Sequence, residues 1–554
     1  MPFHLQFAGL RAGMAAFSHT VRSKRPTRRD HPPCLDLRAG HSFIKLRRHA
    51  VRSKADLSAT SYSPTNTMKK ILRSRLPGAG WPIALSAVLS LGLVAAAFAQ
   101  TSGESASAEP AAQSGAGEPQ AAAADQSAAA PTGLWERSNL LGDMGGLRPW
   151  LGQYGVTFGL QETSEYMGNV SGGTARGGAW QGVTEFSLGM DTQKAFGLPG
   201  GIFNVSGFQI HGTSLTSRNL QTLQAASGIE AEASTRLWEL WYQQTLPGGK
   251  VDVKVGQQSL DQEFMGSQYA GAFMNATFGW PVLPSTDMPA GGPAYPLSSL
   301  GVRVRATPTD AITVLGGVFD GNPAPGQGDP QKLNASGTNF NLGNGALVIG
   351  EIQYAINQPP ADGSDAKPGG LPGTYKLGFW YNSNRFIDPA TGNTGVGGGP
   401  DSHHGNYSIY AVADQMVWRP SADSPQSVGV FARIMGAPGD RNLVDLGVNA
   451  GVTLKAPFKG RDNDVAGLAV GYAHIGSHAQ DFASAQGATT PGYPSRSAET
   501  VLEATYQYQV APWWQLQADF QYFFRPAGGI PDPQNPSRRI GDEAVLGLRT
   551  TIVF

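Results

Sequence analysis

From Tyr154 to the C-terminus, apolar and polar residues alternate with a period of two, and this pattern narrows the possible folds more than any other feature. Successive side chains of a strand point to opposite faces, so such runs meet an apolar medium on one side and water on the other. The last run is the clearest. Ala544, Leu546, Leu548, Thr550, Ile552 and Phe554 share one face; Glu543, Gly547, Arg549 and Thr551 share the other. In Trp513–Arg525, Trp514, Leu516, Phe520, Tyr522 and Phe524 oppose Gln515, Gln517, Asp519, Gln521 and Arg525. Leu502, Tyr506 and Tyr508 oppose Glu503, Thr505 and Gln507. Val251, Val253 and Val255 oppose Asp252 and Lys254, and Val302 and Val304 oppose Arg303 and Arg305.

About sixteen such runs follow one another, near 155–165, 181–192, 201–212, 235–246, 250–259, 299–307, 311–320 and 346–357 in the first half. The second half holds runs near 373–384, 407–419, 427–437, 443–455, 464–477, 498–511, 513–525 and 542–554. Most reach the ~9–11 residues that a tilted membrane-spanning strand needs. The connectors tend to alternate: Leu246–Lys250, Thr307–Asp310 and Ala511–Pro512 are short, whereas Thr213–Ser234, Leu260–Ser298, Gly321–Gly345, Arg385–Asn406 and His478–Ser497 are long. Short periplasmic turns and long external loops give that rhythm. Gly439–Asn442 is short where a loop is due, and Gln358–Leu371 is long where a turn is due.

A soluble β-sandwich, β-helix or propeller also alternates. Against these, Trp238, Trp241, Trp380, Trp418, Trp513 and Trp514 cluster at run ends, as the aromatic girdle of a membrane barrel requires. A mean hydropathy of −0.23 suits this reading, because barrel strands average lipid-facing with lumen-facing residues. The expected fold is therefore all-β: a transmembrane antiparallel barrel of about sixteen strands, over residues 134–554, with a short periplasmic N-terminal segment. Leu140–Gln153 is placed there as a short helix or turn, weakened by the adjacent Gly145 and Gly146.

The residues before the barrel read as an export leader. From Met68, Lys69, Lys70, Arg73 and Arg75 precede an apolar stretch, Trp81–Ala97, and Ala97-Phe98-Ala99 is a small-x-small cleavage site. The apolar run falls short of the ~20 residues of a membrane-spanning helix, so residues 68–99 are expected to be a Sec signal peptide. Residues 1–67 are Arg-rich, repeat VRSK at Val21–Lys24 and Val51–Lys54, and lack periodicity. They are expected to be a disordered, non-native extension, with translation starting at Met68. Residues 100–133 read as a disordered Ala/Ser-rich linker. The net charge of zero hides an asymmetry: residues 1–99 hold 16 basic and 3 acidic residues, leaving 25 basic and 38 acidic from Gln100 onward. An acidic exported body argues against nucleic acid as a partner. The single cysteine, Cys34, lies in the leader, so the body has no disulfide framework or cysteine metal site.

Four segments resemble the carbohydrate-selective outer-membrane porin family of the OprB type: Leu140–Arg148 leading into Tyr154–Phe158; Leu237–Leu246 with Val253–Gln257 and Phe264; Tyr295-Pro296 through Gly301-Val302; and Ala498–Tyr506. Trp513, Gln521-Tyr522, Pro526, Gly547–Arg549 and Phe554 extend the last of them. Together they span roughly residues 134–554, with one departure at Ala518, where the family often has proline. The resemblance implies a sixteen-stranded barrel in the outer membrane of a Gram-negative bacterium, a constricted channel, passive diffusion of small sugars and no cofactor. Outer-membrane lipid and the barrel assembly machinery, reading the terminal strand that ends at Phe554, are the other expected partners.

A sugar-selective lumen needs planar polar groups for hydroxyls and aromatic faces for pyranose rings. Inward phase nominates Glu185, Glu239, Arg303, Arg305, Glu351, Arg433, Glu503, Arg525 and Arg549. Arg236 lies in the opposite phase to Glu239 and is expected just before its strand. The longest connector, Leu260–Ser298, is the candidate to fold inward, offering Tyr269, Phe273, Phe278, Trp280 and Tyr295, with Asp287 the one charge of its second half. An ordinary solvated wall and a self-covering surface loop are the plainer readings of the same residues. His403 and His404 are adjacent in a Gly/Asp/Ser-rich loop, and neighbours in a strand would face opposite ways, which argues against a metal pair. No GxSxG, HExxH or P-loop is present. The competing functions are a general diffusion porin, an outer-membrane hydrolase using Ser and His on the barrel rim, and a secreted adhesive β-protein. Mapping terminal peptides of the unprocessed precursor tests the assignment of the leader; we expect none from residues 1–67, and their recovery would overturn it.

Overall fold

The computed structural model of the chain describes residues 133–358 and 369–554. The expected extension (1–67), signal peptide (68–99) and all but the last residue of the expected linker (100–133) lie outside the described residues.

Sixteen strands close into one antiparallel barrel in chain order. They are β1 Val156–Ser171, β2 Gly177–Asp191, β3 Gly201–Gly212, β4 Ser234–Thr245, β5 Val251–Gln258 and β6 Ser299–Thr309. Next come β7 Ile312–Asp320, β8 Ala346–Ile356, β9 Gly373–Ile387, β10 Ser402–Trp418 and β11 Ser427–Gly436. The last are β12 Val444–Lys455, β13 Val465–Ile475, β14 Ala498–Ala511, β15 Trp514–Phe524 and β16 Glu543–Val553. β1 pairs with β16, Gln161 opposite Val553 and Glu165 opposite Arg549, so the sheet has no open edge. Every strand coincides with one of the runs read from the sequence. The alternation also holds in space: along β10, Asn406, Ser408, Tyr410, Val412 and Asp414 are buried inside, while Tyr407 and Ile409 are exposed outside.

Two strand ends depart from the expected phase. A register shift between β3 and β4, where Ser206 faces Glu239 but Gly207 faces Leu237, marks a β-bulge at Trp238. The extra residue turns Arg236 inward beside Glu239; it lies within β4, not before it. Arg525 lies beyond the end of β15 with φ 51°, so its side chain leaves the strand alternation. Its guanidinium donates to the Ser495 carbonyl at 2.9 Å and its backbone N–H to Asp542 at 2.9 Å, which places it on the loop-side rim and not on a lumen face.

Both glycines that weakened the first helix precede it rather than interrupt it. Gly145 and Gly146 hold φ of 66° and 90°, values that favour glycine, and α1 (Leu147–Gln153) starts directly afterwards. Arg148 of α1 donates to the Phe158 carbonyl at 2.8 Å and to the Phe554 carbonyl. Trp513 donates to the Leu134 carbonyl at 2.8 Å and stacks on Trp135. The N-terminal segment is thereby tied to the rim that carries the C-terminus. A second helix, α2 (Ser477–Thr489), fills the connector after β13. Its Ala/Gln/Ser sequence has no apolar stripe, so no periodic signal marked it.

Two connectors run inward. In 213–233, Leu215, Leu220, Leu223 and Ala226 are buried; in 259–298, Phe264, Met265, Phe278 and Leu283 are. The second connector packs on the inner wall of β7 to β13, against Leu315, Ile349, Trp380, Tyr410, Val412 and Met435. A closed sheet of this kind resists detergent, so we expect unheated protein to migrate differently from boiled protein in SDS gels. Identical migration would contradict a closed barrel.

Candidate functional site

A loop that enters a barrel carries its backbone N–H and C=O groups with it, and each needs a partner there. The inner wall supplies them from charged side chains. Glu503 of β14 accepts from the backbone N–H groups of Met274 (2.5 Å) and Asn275 (3.0 Å). Glu351 of β8 accepts from the Met265 N–H at 2.8 Å and from the Tyr410 hydroxyl at 2.8 Å. Glu239 of β4 accepts from the Ser259 N–H at 2.8 Å. Asp414 of β10 accepts from the Ser267 hydroxyl at 2.6 Å and from the Gln268 N–H at 3.3 Å.

Arg433 of β11 provides the matching donors. Its guanidinium reaches the carbonyls of Met265 (2.8 Å), Thr277 (2.6 Å), Phe278 (3.1 Å) and Gly279 (3.2 Å), and Asn449 orients its Nε at 3.1 Å. Glu499 of β14 does the same for the first inward connector, accepting from the Leu223 and Gln224 N–H groups, both at 2.8 Å. Four of the nominated lumen charges, Glu239, Glu351, Arg433 and Glu503, are thus occupied in holding backbone.

Arg303 and Arg305 belong to a different arrangement. On β5 and β6, the inward faces bring Asp252, Lys254, Arg303 and Arg305 side by side, and Glu263 of the inward loop meets them. Lys254 Nζ lies 2.5 Å from Glu263 Oε1, and Arg303 Nε lies 2.6 Å from Glu263 Oε2. Arg303 also pairs with Asp252 and donates to Gln243 at 2.9 Å. Arg305 Nε meets the other Asp252 oxygen at 2.7 Å, and its side chain keeps 30% of its surface accessible against 2% for Arg303. The Lys254 ammonium sits 4.2 Å from the Trp241 ring centroid. Burial alone would raise the Glu263 carboxyl, but Arg303 and Lys254 outweigh it and hold it at about 2. Three cations and two carboxylates therefore form one fixed, mixed-sign cluster.

Arg549 of β16 pairs with Glu165 of β1, its Nε 2.5 Å from Oε1, and Gln181 donates to the same carboxylate at 3.0 Å. Glu185 is buried on the inner face of β2, in register with Phe208 of β3. The loop aromatics divide. Phe273 is buried against Phe278 and Phe431, with ring centroids 5.0 and 5.8 Å away. Tyr269 lies over Gly429 of β11. Trp280 is half-buried and donates to the Gly291 carbonyl at 2.9 Å. Phe273 is thus wall packing, and Trp280 keeps one accessible side. Asp287, fully inside the loop packing, accepts from the Val444 N–H at 3.3 Å, and burial pushes its carboxyl well above the usual range.

Sequence phase alone could have nominated Asp252, Lys254, Asp414 and Glu499, since all four alternate inward. Glu263 carries no such signal, because a loop has no period. On the loop-side rim, His403 and His478 both meet Asp388, at 3.2 and 2.8 Å. Among the described residues, no three His, Cys, Asp or Glu side chains form a metal-binding group.

Against known proteins, residues 175–554 match the profile described as carbohydrate-selective porin, OprB family. Porin B of Pseudomonas aeruginosa is 26% identical over 451 residues, covering 76% of this chain and 92% of that protein. The high-pH structure of OprB from Pseudomonas putida superposes with a TM-score of 0.63 at 23% identity, over 76% of this chain and 99% of that one.

Replacing Arg433 removes donors from four buried carbonyls, a loss of roughly 3–5 kcal/mol for a buried charged partner. We expect Arg433→Met to keep heat-modifiable migration but to give noisier, larger single-channel currents as the loop loosens. Wild-type noise and conductance in that variant would exclude Arg433 as the loop's anchor.

Proposed function

Because this chain belongs to the carbohydrate-selective porin family of the OprB type, we propose that small sugars, monosaccharides among them, pass beside the cluster formed by Asp252, Lys254, Glu263, Arg303 and Arg305. The protein is an outer-membrane β-barrel channel, not an enzyme, and its flux is passive diffusion of carbohydrate. The observation that carries the proposed path is the split among the inward charges. Glu239, Glu351, Arg433 and Glu503 are consumed by loop backbone, while Arg305 and Glu263 combine fixed positions with accessible surface.

The chemistry suits a neutral polyol. A guanidinium and a carboxylate present several planar donors and acceptors, matching adjacent hydroxyls in place of their water. Each charge in the cluster already has a counter-charge, so a passing ion gains little from it. Arg549 with Glu165 repeats the motif on β16 and β1, and the accessible side of Trp280 offers a surface for a pyranose ring. Outside the lumen, the apolar outer faces take lipid as their solvent, and the terminal strand ending at Phe554 is the segment we assign to recognition by the assembly machinery.

The Glu263 value gives a pH dependence. Its folded value of about 2 lies below the ordinary 4.5, so its stabilisation is complete above about pH 4.5 and is lost only as pH falls through about 2. Sugar block of ion current in planar bilayers should therefore stay constant from pH 7 to about pH 5. Arg305→Ala should weaken that block several-fold, and Glu263→Gln should move the reversal potential in a salt gradient towards anion selectivity. Unchanged block and unchanged reversal potential in the two variants would remove the cluster from the sugar path.

A further inference from the structure

Residues 134–154, ahead of β1, contain no buried side chain, although the segment is rich in large apolar residues. Leu134, Trp135, Leu141, Leu147, Trp150 and Tyr154 are all exposed. The pattern is sharpest in and just after α1. There Leu147, Trp150, Leu151 and Tyr154 recur at i, i+3, i+4 and i+7 and form one stripe, while Arg148, Pro149, Gly152 and Gln153 take the other side. A helix of seven residues is too short to persist on its own propensity, and this one buries nothing against the barrel. Its apolar stripe needs a medium that the chain does not supply.

Contacts at the turn-side rim place this segment beside the barrel wall and not beneath the pore. Thr163, Glu165 and Met167 of β1 are buried on the inner face, so Phe158, in step with the exposed Tyr166, points outward. The Arg148 guanidinium lies over that outward ring, 5.8 Å from its centroid, and donates to the Phe158 and Phe554 carbonyls. Asp191 of β2 donates its backbone N–H to the Gly155 carbonyl at 2.9 Å. Tyr154 is thereby set next to the β2–β3 turn, whose Phe196 and Leu198 are also exposed. On the other flank Trp135 stacks on Trp513 and Trp513 on Trp514, with centroids 6.0 and 5.9 Å apart.

An exposed apolar surface of this extent marks contact with a membrane or with protein. Its position favours the membrane. The collar is continuous with the apolar outer wall through Phe158, and it lies at the end of the strands where the lipid-facing band meets the periplasm. It is built from tryptophan, tyrosine and leucine, and the amphipathic rings of the first two settle at membrane–water interfaces. A helix with one apolar stripe and a polar opposite side lies in the plane of that interface, its stripe turned to the acyl chains. Arg148 faces the rim and not the lipid, because both of its terminal nitrogens are held by strand-end carbonyls.

We propose that residues 134–154 form a membrane-surface collar whose partner is phospholipid: Trp135, Leu147, Trp150 and Tyr154 insert into the headgroup–acyl boundary of the periplasmic leaflet. The segment then runs along the membrane beside the pore exit instead of across it. The proposal rests on the lipid contact of the outer wall, and one experiment separates the two. The body has no cysteine, so Trp150→Cys, Gln153→Cys and Ile409→Cys, the last on the exposed outer face of β10, each accept one environment-sensitive fluorophore. The labelled proteins are placed in phosphatidylethanolamine–phosphatidylglycerol vesicles with nitroxide-labelled phosphatidylcholine, or with iodide, which the open channel admits to both sides. A nitroxide near the headgroup should quench Trp150→Cys about threefold more than Gln153→Cys, with iodide giving the reverse order. A nitroxide near the chain end should quench Ile409→Cys. Leu147→Cys should repeat the Trp150→Cys result and replaces it if that variant does not fold. Equal iodide quenching of Trp150→Cys and Gln153→Cys, or shielding of Trp150→Cys from both quenchers as contact with protein gives, would overturn the collar while Ile409→Cys stays quenched by lipid. No lipid quenching of Ile409→Cys would overturn the lipid contact of the outer wall and the collar with it.

Discussion

Inside a closed barrel, a loop must satisfy its own backbone without the sheet and largely without bulk water, and the rest of this channel is arranged around that requirement. Five inward carboxylates, Glu239, Glu351, Asp414, Glu499 and Glu503, each accept donors from an entering segment, and Arg433 gathers four carbonyls. A carboxylate can take two N–H donors at once and a guanidinium can serve several carbonyls, so a few wall residues fix long loops. Apolar packing on β7 to β13 completes the seat, with Phe264, Met265 and Leu283 from the loop against Trp380, Tyr410 and Val412.

That arrangement explains why so few of the wall charges remain for solute. A count of inward Glu and Arg residues suggests a strongly charged lumen, yet most of these groups are neutralised by backbone dipoles or by one another. Besides the Arg549–Glu165 pair, what is left, on β5, β6 and the loop edge, is a mixed-sign group in which Glu263 joins Lys254 to Arg303. Fixed geometry without strong net charge suits discrimination among neutral polyols better than selection among ions.

The strands were legible because lipid and lumen impose opposite demands on alternate residues, a signal that survives in every one of the sixteen runs. Connector lengths were legible for the same reason, including the two irregular ones after β8 and β11. Local departures from the period were not. Arg236 was misplaced because one bulge residue at Trp238 reverses phase, and Arg525 because a positive φ ends β15 beside it. The roles of the inward charges were hidden for a deeper reason. Whether Glu503 faces a sugar or the Met274 N–H depends on where a distant loop comes to rest, and alternation says nothing about that. The inward turn of 213–233 was missed on the same ground, while 259–298 betrayed itself by length and aromatic content.

The central claim is that the loop fills one side of the barrel and solute passes on the other, beside β4 to β6. Two single cysteines read this directly in planar bilayers: Gln243→Cys, whose native side chain bonds Arg303, and Val412→Cys, which lies behind the loop on β10. A bulky methanethiosulfonate reagent should reduce current through Gln243→Cys, with added sugar slowing the reaction, and should leave Val412→Cys unaffected. Block at Val412→Cys with none at Gln243→Cys would put the path on the opposite wall and contradict the account.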